Sequence, residues 1–294
     1  MDAMQHDPGP VLRVDANGLL DPQMCLATLA AHAIPGIDER AGTEHRRPVR
    51  FEGRVAPLGL QFTTEAVLVH SVGEPLSAAD GPAVASLVRR WFGLAEDLAP
   101  ANQHLSRDPL LAPLVARRPT LRRIGYPDAF EAAATTVLGQ QVSVAAMRTF
   151  AGRLVARWGG TPEQGLRLFP SADVVARVPE DELQATIGIT RARTRTLLAV
   201  ANAFVEAGSR ERPGGAFPLT REQLLALPGI GPWSADYLAV RARLDPDAFT
   251  PGDLVLRRAL GRITTREAEA RAEAWRPYRA HALFHLWSEE AYSR

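Results

Sequence analysis

The run Leu227-Pro228-Gly229-Ile230-Gly231-Pro232-Trp233-Ser234-Ala235 constrains this chain more than any other stretch. Leu224 and Leu225 precede it at the end of a helical pattern. Pro228 disfavours a helical residue before it, and Gly229 accepts a positive φ, so the helix stops there. Pro232 suits the first turn of a new helix, on which Ser234, Tyr237, Leu238 and Arg241 share the period. The sequence therefore predicts two helices joined by a very tight glycine hairpin. Such a hairpin aims unpaired backbone N–H groups outward from a helix N-terminus, a ready seat for a phosphate at Gly229, Gly231 and Ser234. The plainer reading of the same residues is a structural turn between packed helices.

Trp233 and Tyr237 stand at i and i+4, so they share a helix face, either as core or as walls of a pocket. Asp253 follows Gly231 by 22 residues, behind Thr250-Pro251-Gly252. Its position before Leu254, Leu256, Arg257 and Leu260 is that of an N-cap. A carboxylate there also suits chemistry that builds positive charge on a sugar. The chain closes on Arg279-Ala280-His281-Ala282-Leu283-Phe284-His285-Leu286-Trp287, in which the His281–His285 pair reads as helix packing rather than a metal site.

Hairpin, spaced aspartate and closing tryptophan together resemble the helix-hairpin-helix DNA glycosylase superfamily, in its alkylpurine branch, the 3-methyladenine DNA glycosylase II type. The resemblance runs from about residue 25 to 292. It implies that Asp253 is the catalytic carboxylate and that Trp233, Tyr237 and Trp287 receive a flipped base. It implies that Gly229, Gly231 and Ser234 contact one DNA phosphate. Gln141, in the break Leu138-Gly139-Gln140-Gln141-Val142-Ser143, resembles the residue that fills the gap left by the flipped nucleotide. The backbone carbonyls of Leu225, Leu227 and Ile230 match those with which relatives hold a structural monovalent cation; no other cofactor is implied. Relatives often carry Tyr directly after the catalytic Asp, where this chain has Leu254, so its pocket is expected to be less aromatic there. His32 matches a position near the pocket wall, with surface or packing as the plainer reading.

The implied activity is that of a monofunctional glycosylase acting on double-stranded DNA with alkylated purines and leaving an abasic site. Trp233 stands where bifunctional relatives carry a Schiff-base lysine. No lysine occurs among the 294 residues, so every one of the 34 Lys/Arg positions is Arg and no lysine amine is present to form that adduct. The rival from another class is a non-catalytic hairpin module that clamps distorted DNA. Such a clamp needs the glycines but not Asp253.

Composition bounds the rest. Cys25 is the single cysteine, which excludes a disulfide framework and a four-cysteine cluster within this stretch. The net charge of +1 gives bulk electrostatics little part in nucleic-acid binding. No apolar run is long enough to span a membrane, and the first residues lack a basic-then-apolar signal pattern. A cytoplasmic, monomeric protein is expected.

Along the chain, residues 1–20 read as a loose entry and 26–33 as a helix ended by Ile34-Pro35-Gly36. Runs at 49–55, 58–62 and 66–70 alternate or stay apolar like strands of a small antiparallel meander. Pro82 to Leu94 has helical spacing. After residue 110 the pattern is helical throughout, with Asp128 and Ser143 as N-caps and a Gly/Pro/Arg loop at 210–218. The expected class is mainly α: an N-terminal α+β domain over residues 1–112, then an all-α helix-hairpin-helix domain over 113–294. Arg117-Arg118 and Arg122-Arg123 read as solvated surface or as phosphate contacts, and Asp245 and Asp247 as solvated turn residues.

Overall fold

The computed structural model describes residues 11–161, 165–208 and 217–292. The N-terminal part holds β1 (Leu12–Asp15), α1 (Pro22–His32), β2 (Glu39–Ala41), β3 (Glu44–Phe51), β4 (Arg54–Phe62), β5 (Ala66–Ser71) and α2 (Gly81–Phe92). Its antiparallel sheet has the order β1-β5-β4-β3-β2. Helices follow: α3 (Ala99–Leu105), α4 (Ala112–Arg117), α5 (Ala129–Gly139), α6 (Val144–Trp158), α7 (Ala172–Ala176), α8 (Glu180–Ile187) and α9 (Arg191–Glu206). The chain ends with α10 (Arg221–Leu225), α11 (Pro232–Arg241), α12 (Leu254–Ala259), α13 (Thr265–Ala272) and α14 (Arg279–Tyr292). The α+β unit followed by an all-helical part matches the class read from the sequence. Most of the expected 210–218 loop lies outside the described residues.

Three details of the sheet differ from the sequence reading. Strand β2 and the first half of β3, from Glu44, lie where the sequence marks no strand. Residues 49–55 are not one strand. Glu52 and Gly53 both adopt positive φ (44° and 75°) and turn the chain between β3 and β4, pairing Phe51 with Arg54. A two-residue loop of this hand matches the twist of the strands it joins. The loose entry contains β1, which pairs Leu12–Asp15 with Ala66–Val69 across more than fifty residues. One sheet face carries Val14, Val49, Phe51, Leu58, Leu60, Val67 and Val69 against Val88, Trp91 and Phe92 of α2. The other carries the polar group Glu44, Arg46, Gln61 and His70.

The helical core gathers α5, α6, α9 and α11 and takes in Ile34 and Ile37 from the N-terminal part. A further core joins Leu105, Leu111, Val115 and Leu121 to Leu256, Trp275 and Leu283. Arg47 of β3 links sheet to helices through Asp38 at 3.2 Å and Glu131 of α5 at 2.6 Å, with its guanidinium over Trp91. Burial pushes the Glu131 carboxyl up to about 7 against the opposing pull of Arg47.

The second arginine pair is structural, whereas Arg117 of the first is exposed. Arg122 and Arg123 are buried, correcting the reading of both as solvated or phosphate-facing. Arg122 donates to the carbonyls of Gly93 (2.8 Å) and Glu96 (3.0 Å), and Arg123 pairs with Glu96 and donates to Leu244 O at 2.6 Å. Arg117 is tied to Glu289, and Arg118 to Ser288. Asp247 is likewise no solvated turn residue: it pairs with Arg276 and, at 2.9 Å, with Arg279 at the start of α14.

His285 of α14 is 2% exposed, and burial, then the charges of His281 and Arg118, lower its pKa to about 3. Folding thus favours the neutral ring. That contribution is complete above the unfolded value of 6.5 and is lost as pH falls from there toward 3. Between pH 6.5 and about pH 5 one such group costs about 2 kcal/mol of stability. Denaturant unfolding at the two pH values checks this: His285→Leu should lose about 2 kcal/mol less than the parent on acidification. An unchanged pH dependence in the variant contradicts the assignment.

Candidate active site

Helices α10 and α11 form the hairpin. Thr220 opens α10 with a reciprocal capping box to Gln223, and Arg221 reaches Asp236 of α11 at 2.8 Å. Gly229 has φ +79°, and a Cβ there would overlap Thr196 Oγ1 of α9 and lie 3.1 Å from its Cβ. Only glycine meets both demands. Gly231 differs: its φ is −98°, and a Cβ would meet nothing within 4 Å. It is the N-cap of α11 and supplies no side-chain cap, and Pro232 has no N–H. The first turn of α11 therefore starts without a side-chain cap, with open space beside Gly231.

The Ser234 hydroxyl is not on that surface. The residue is 3% exposed and its Oγ accepts from Gln140 Nε2 at 3.0 Å. The same Nε2 donates to Gly229 O at 2.9 Å. Gln141, the next residue, is exposed and has φ +56° at the tip of the α5–α6 turn. Ser143 caps α6 through Ala146 N–H, and Asp128 caps α5 through Glu131 N–H, as read from the sequence.

Asp253 is indeed an N-cap, of α12, and it is more than that. It is 8% exposed, and its Oδ1 accepts the Leu256 N–H at 2.9 Å. Oδ1 also accepts the indole N–H of Trp287 at 3.0 Å, and Oδ2 that of Trp233 at 3.3 Å. Three donors thus fix a carboxylate that has about four acceptor sites, leaving room for one more partner. Trp233 and Tyr237 stack with centroids 5.1 Å apart and planes at 23°; Tyr237 and Trp287 tilt at 5.8 Å and 48°. All three rings are half-buried. Leu254 is 57% exposed on α12, beside Asp253.

Behind this cluster Arg241 lies over the rings of Tyr126 (5.4 Å) and Phe284 (5.6 Å), and Phe284 touches Trp287 at 5.5 Å. His32 is half-buried at the end of α1. Burial, then the charges of Arg241 and Arg148, with its hydrogen bond to Thr28 O opposing them, lower its pKa to about 4. His281 is also held neutral by burial, which outweighs its partner Glu96 3.3 Å away.

The structure brings together Asp253, Trp233, Tyr237 and Trp287, and sets Gln140 and Gln141 against the hairpin. Sequence reasoning missed Gln140, Arg193 (which donates to Gln140 O at 2.6 Å) and the two indole bonds to Asp253. The bonds of Gln140 and Arg193 span more than fifty residues, and no local signal marks them. Among the described residues no group of His, Cys, Asp and Glu could hold a metal ion, and no helix is long and apolar enough to cross a membrane.

Residues 12–128 match the AlkA N-terminal domain, and residues 134–279 match the HhH-GPD superfamily base excision DNA repair protein. The chain belongs to this helix-hairpin-helix superfamily of base excision repair. It is similar to the probable bifunctional transcriptional activator/DNA repair enzyme AlkA of Mycobacterium tuberculosis, 34% identical over 271 residues, covering 88% of this chain and 53% of that protein. The chain thus spans about half the length of that relative. With DNA-3-methyladenine glycosylase 2 of Escherichia coli it shares 29% identity over 273 residues, 91% of this chain and 93% of the relative. The solved 3-methyladenine DNA-glycosylase from Archaeoglobus fulgidus has the same fold, with a TM-score of 0.80 at 20% identity over 96% of this chain and 99% of the other.

Proposed function

We propose that this chain is a monofunctional DNA glycosylase that excises alkylated purines of the 3-methyladenine and 7-methylguanine type from duplex DNA. The observation that carries the reading is the Asp253 carboxylate, held at the edge of the aromatic cluster by the indole N–H groups of two of its rings. An alkylated purine is a positively charged leaving group. Its flipped ring is attracted to Trp233, Tyr237 and Trp287 by about 0.5–2 kcal/mol per cation–π contact. Flipping itself costs a few kcal/mol, about least at a damaged pair, so the weakened duplex contributes selectivity. As the bond from sugar C1′ to the base nitrogen breaks, the electron pair leaves with the base and the sugar becomes cationic. Asp253 stabilises that cation; a water adds its oxygen to C1′ and gives up a proton. The products are a free base and an abasic site.

The hairpin holds a phosphate through backbone amides at Gly231 and the first turn of α11, with the inward Ser234 hydroxyl bracing the turn. Gln141 fills the gap in the duplex. The neutral carbonyls of Leu225, Leu227 and Ile230 suit a hard monovalent cation. Leu227 O already accepts Ile230 N–H at 3.2 Å and keeps a second lone pair. When bound, such an ion supplies positive charge beside the phosphate. Exposed Leu254 makes the pocket mouth apolar and widens it relative to a tyrosine.

Chromatography of bases released from methylated duplex DNA tests the proposal: methylated purines are expected in the supernatant, and their absence despite duplex binding overturns it in favour of the clamp. Trp287→Phe refines it. That variant keeps an aromatic ring but loses the donor to Asp253, a hydrogen bond to a charged group worth about 1.5–3 kcal/mol. Single-turnover base release should fall at least about tenfold, and further in Trp287→Ala. Equal activity of Phe variant and parent contradicts the orienting role of the indole.

A further inference from the structure

We infer that Gln140 is a positioning residue that couples the duplex wedge to the phosphate seat, so that gripping the backbone and opening the base stack occur as one event. The inference rests on the proposed function, which supplies the wedge role of Gln141 and the phosphate seat. Its atoms are unambiguous. Gly229 O can only accept, so the Gln140 atom 2.9 Å away is the amide nitrogen, and the same nitrogen reaches Ser234 Oγ at 3.0 Å. One side-chain amide thus bonds both flanks of the hairpin, the loop at Gly229 and the first turn of α11. The main-chain oxygen of Gln140 is held as well, by the Arg193 guanidinium of α9 at 2.6 Å.

Helix α9 closes the frame. Thr196, one turn beyond Arg193, is the residue against which Gly229 packs so closely that a Cβ would overlap it. Hairpin, α5–α6 turn and α9 therefore meet at three points within a few residues. From this frame the chain turns into Gln141, whose φ of +56° is rare for a residue with a side chain and which stands exposed. Both hydrogens of the Gln140 side-chain amide are spent on the hairpin. Its work is to hold Gln141 at a set distance from the seated phosphate. A wedge placed in this way matters where an intact pair has to be opened, and matters little where the partner base is already missing.

The full chain with Gln140→Leu tests this, since leucine keeps the approximate size and removes both donated bonds. Single-turnover base release is measured from two duplexes carrying 7-methylguanine, one with cytosine opposite and one with an abasic site opposite. The expected result is a loss of about 10- to 100-fold on the paired lesion and under about threefold on the unpaired one. The thermal midpoint should fall modestly, as two lost hydrogen bonds imply, and the affinity for undamaged duplex should stay near that of the parent. Equal loss on both duplexes, or loss on neither, overturns the coupling. Should the leucine variant fail to fold, Ser234→Ala decides: it removes one of the two acceptors, and the same bias toward the paired lesion is expected at smaller size. A parent protein that releases base from neither duplex refutes the glycosylase reading instead. The coupling is then read from the fluorescence of 2-aminopurine placed beside the lesion, which should rise with the parent and not with Gln140→Leu; equal rises overturn it.

Discussion

Asp253→Asn is expected to abolish base release while leaving duplex binding within a few-fold of the parent. The expected loss in single-turnover rate is at least about 10³-fold, or about 4 kcal/mol of transition-state stabilisation. The geometry explains why the loss should be confined to chemistry. Asn keeps an oxygen for the Leu256 N–H, so the cap of α12 survives. Its amide nitrogen takes the place of Oδ2 and cannot accept, so the Trp233 indole is left facing another donor. The negative charge that would meet the sugar cation is gone. Gel-shift titration and base release on the same preparation measure the two effects separately. Release at the parent's rate would show Asp253 to be a helix cap and nothing more.

Gly229→Ala should be the most destabilising single-methyl change in the hairpin. Alanine at φ +79° costs about 1–2 kcal/mol in backbone strain. Overlap of the new methyl with Thr196 adds about 1–3 kcal/mol unless the hairpin moves off α9. The sum is about 2–5 kcal/mol, and a hairpin displaced in this way loses duplex affinity as well. Gly231→Ala is the control. Its backbone is already permissible for alanine and the methyl points into open space, so stability should change by about 0.5 kcal/mol or less. Under the proposed function that same open space is where a phosphate approaches, so Gly231→Ala should weaken duplex binding without melting the fold. Adding Thr196→Ala to Gly229→Ala should restore part of the stability, because the clash partner has shrunk. Denaturant melts and duplex titrations of the parent and the three variants decide the matter; equal stability of Gly229→Ala and parent would contradict the packing argument.

What could be read in advance was local. The hairpin follows from Pro228, Gly229 and Pro232, the shared face of Trp233 and Tyr237 from the helical period, and the caps at Asp128, Ser143 and Asp253 from one residue type at one position. What failed was non-local. Arg122 and Arg123 look like surface because their partners, among them Asn17, Gly93, Glu96 and Leu244, come from separate parts of the chain. Strand β1 is four residues long and owes its form to pairing with β5 rather than to its own pattern. The turn at Glu52-Gly53 did carry a signal, the glycine, but unbroken alternation on either side hid it. Trp287 came from resemblance alone; its indole meets Asp253 only because α14 packs along α12. Gln140 stood next to a residue already singled out, yet its significance is a bond to Gly229, 89 positions away.

The most direct measurement is made on the parent protein with a duplex carrying one end-labelled strand and one 7-methylguanine. The strand is sized before and after alkali. The account predicts an intact strand after incubation and a break at the lesion only after alkali, the mark of hydrolysis by Asp253 without a lysine adduct. A strand already broken before alkali would contradict the hydrolytic mechanism, and a strand still intact after alkali would contradict glycosylase activity itself.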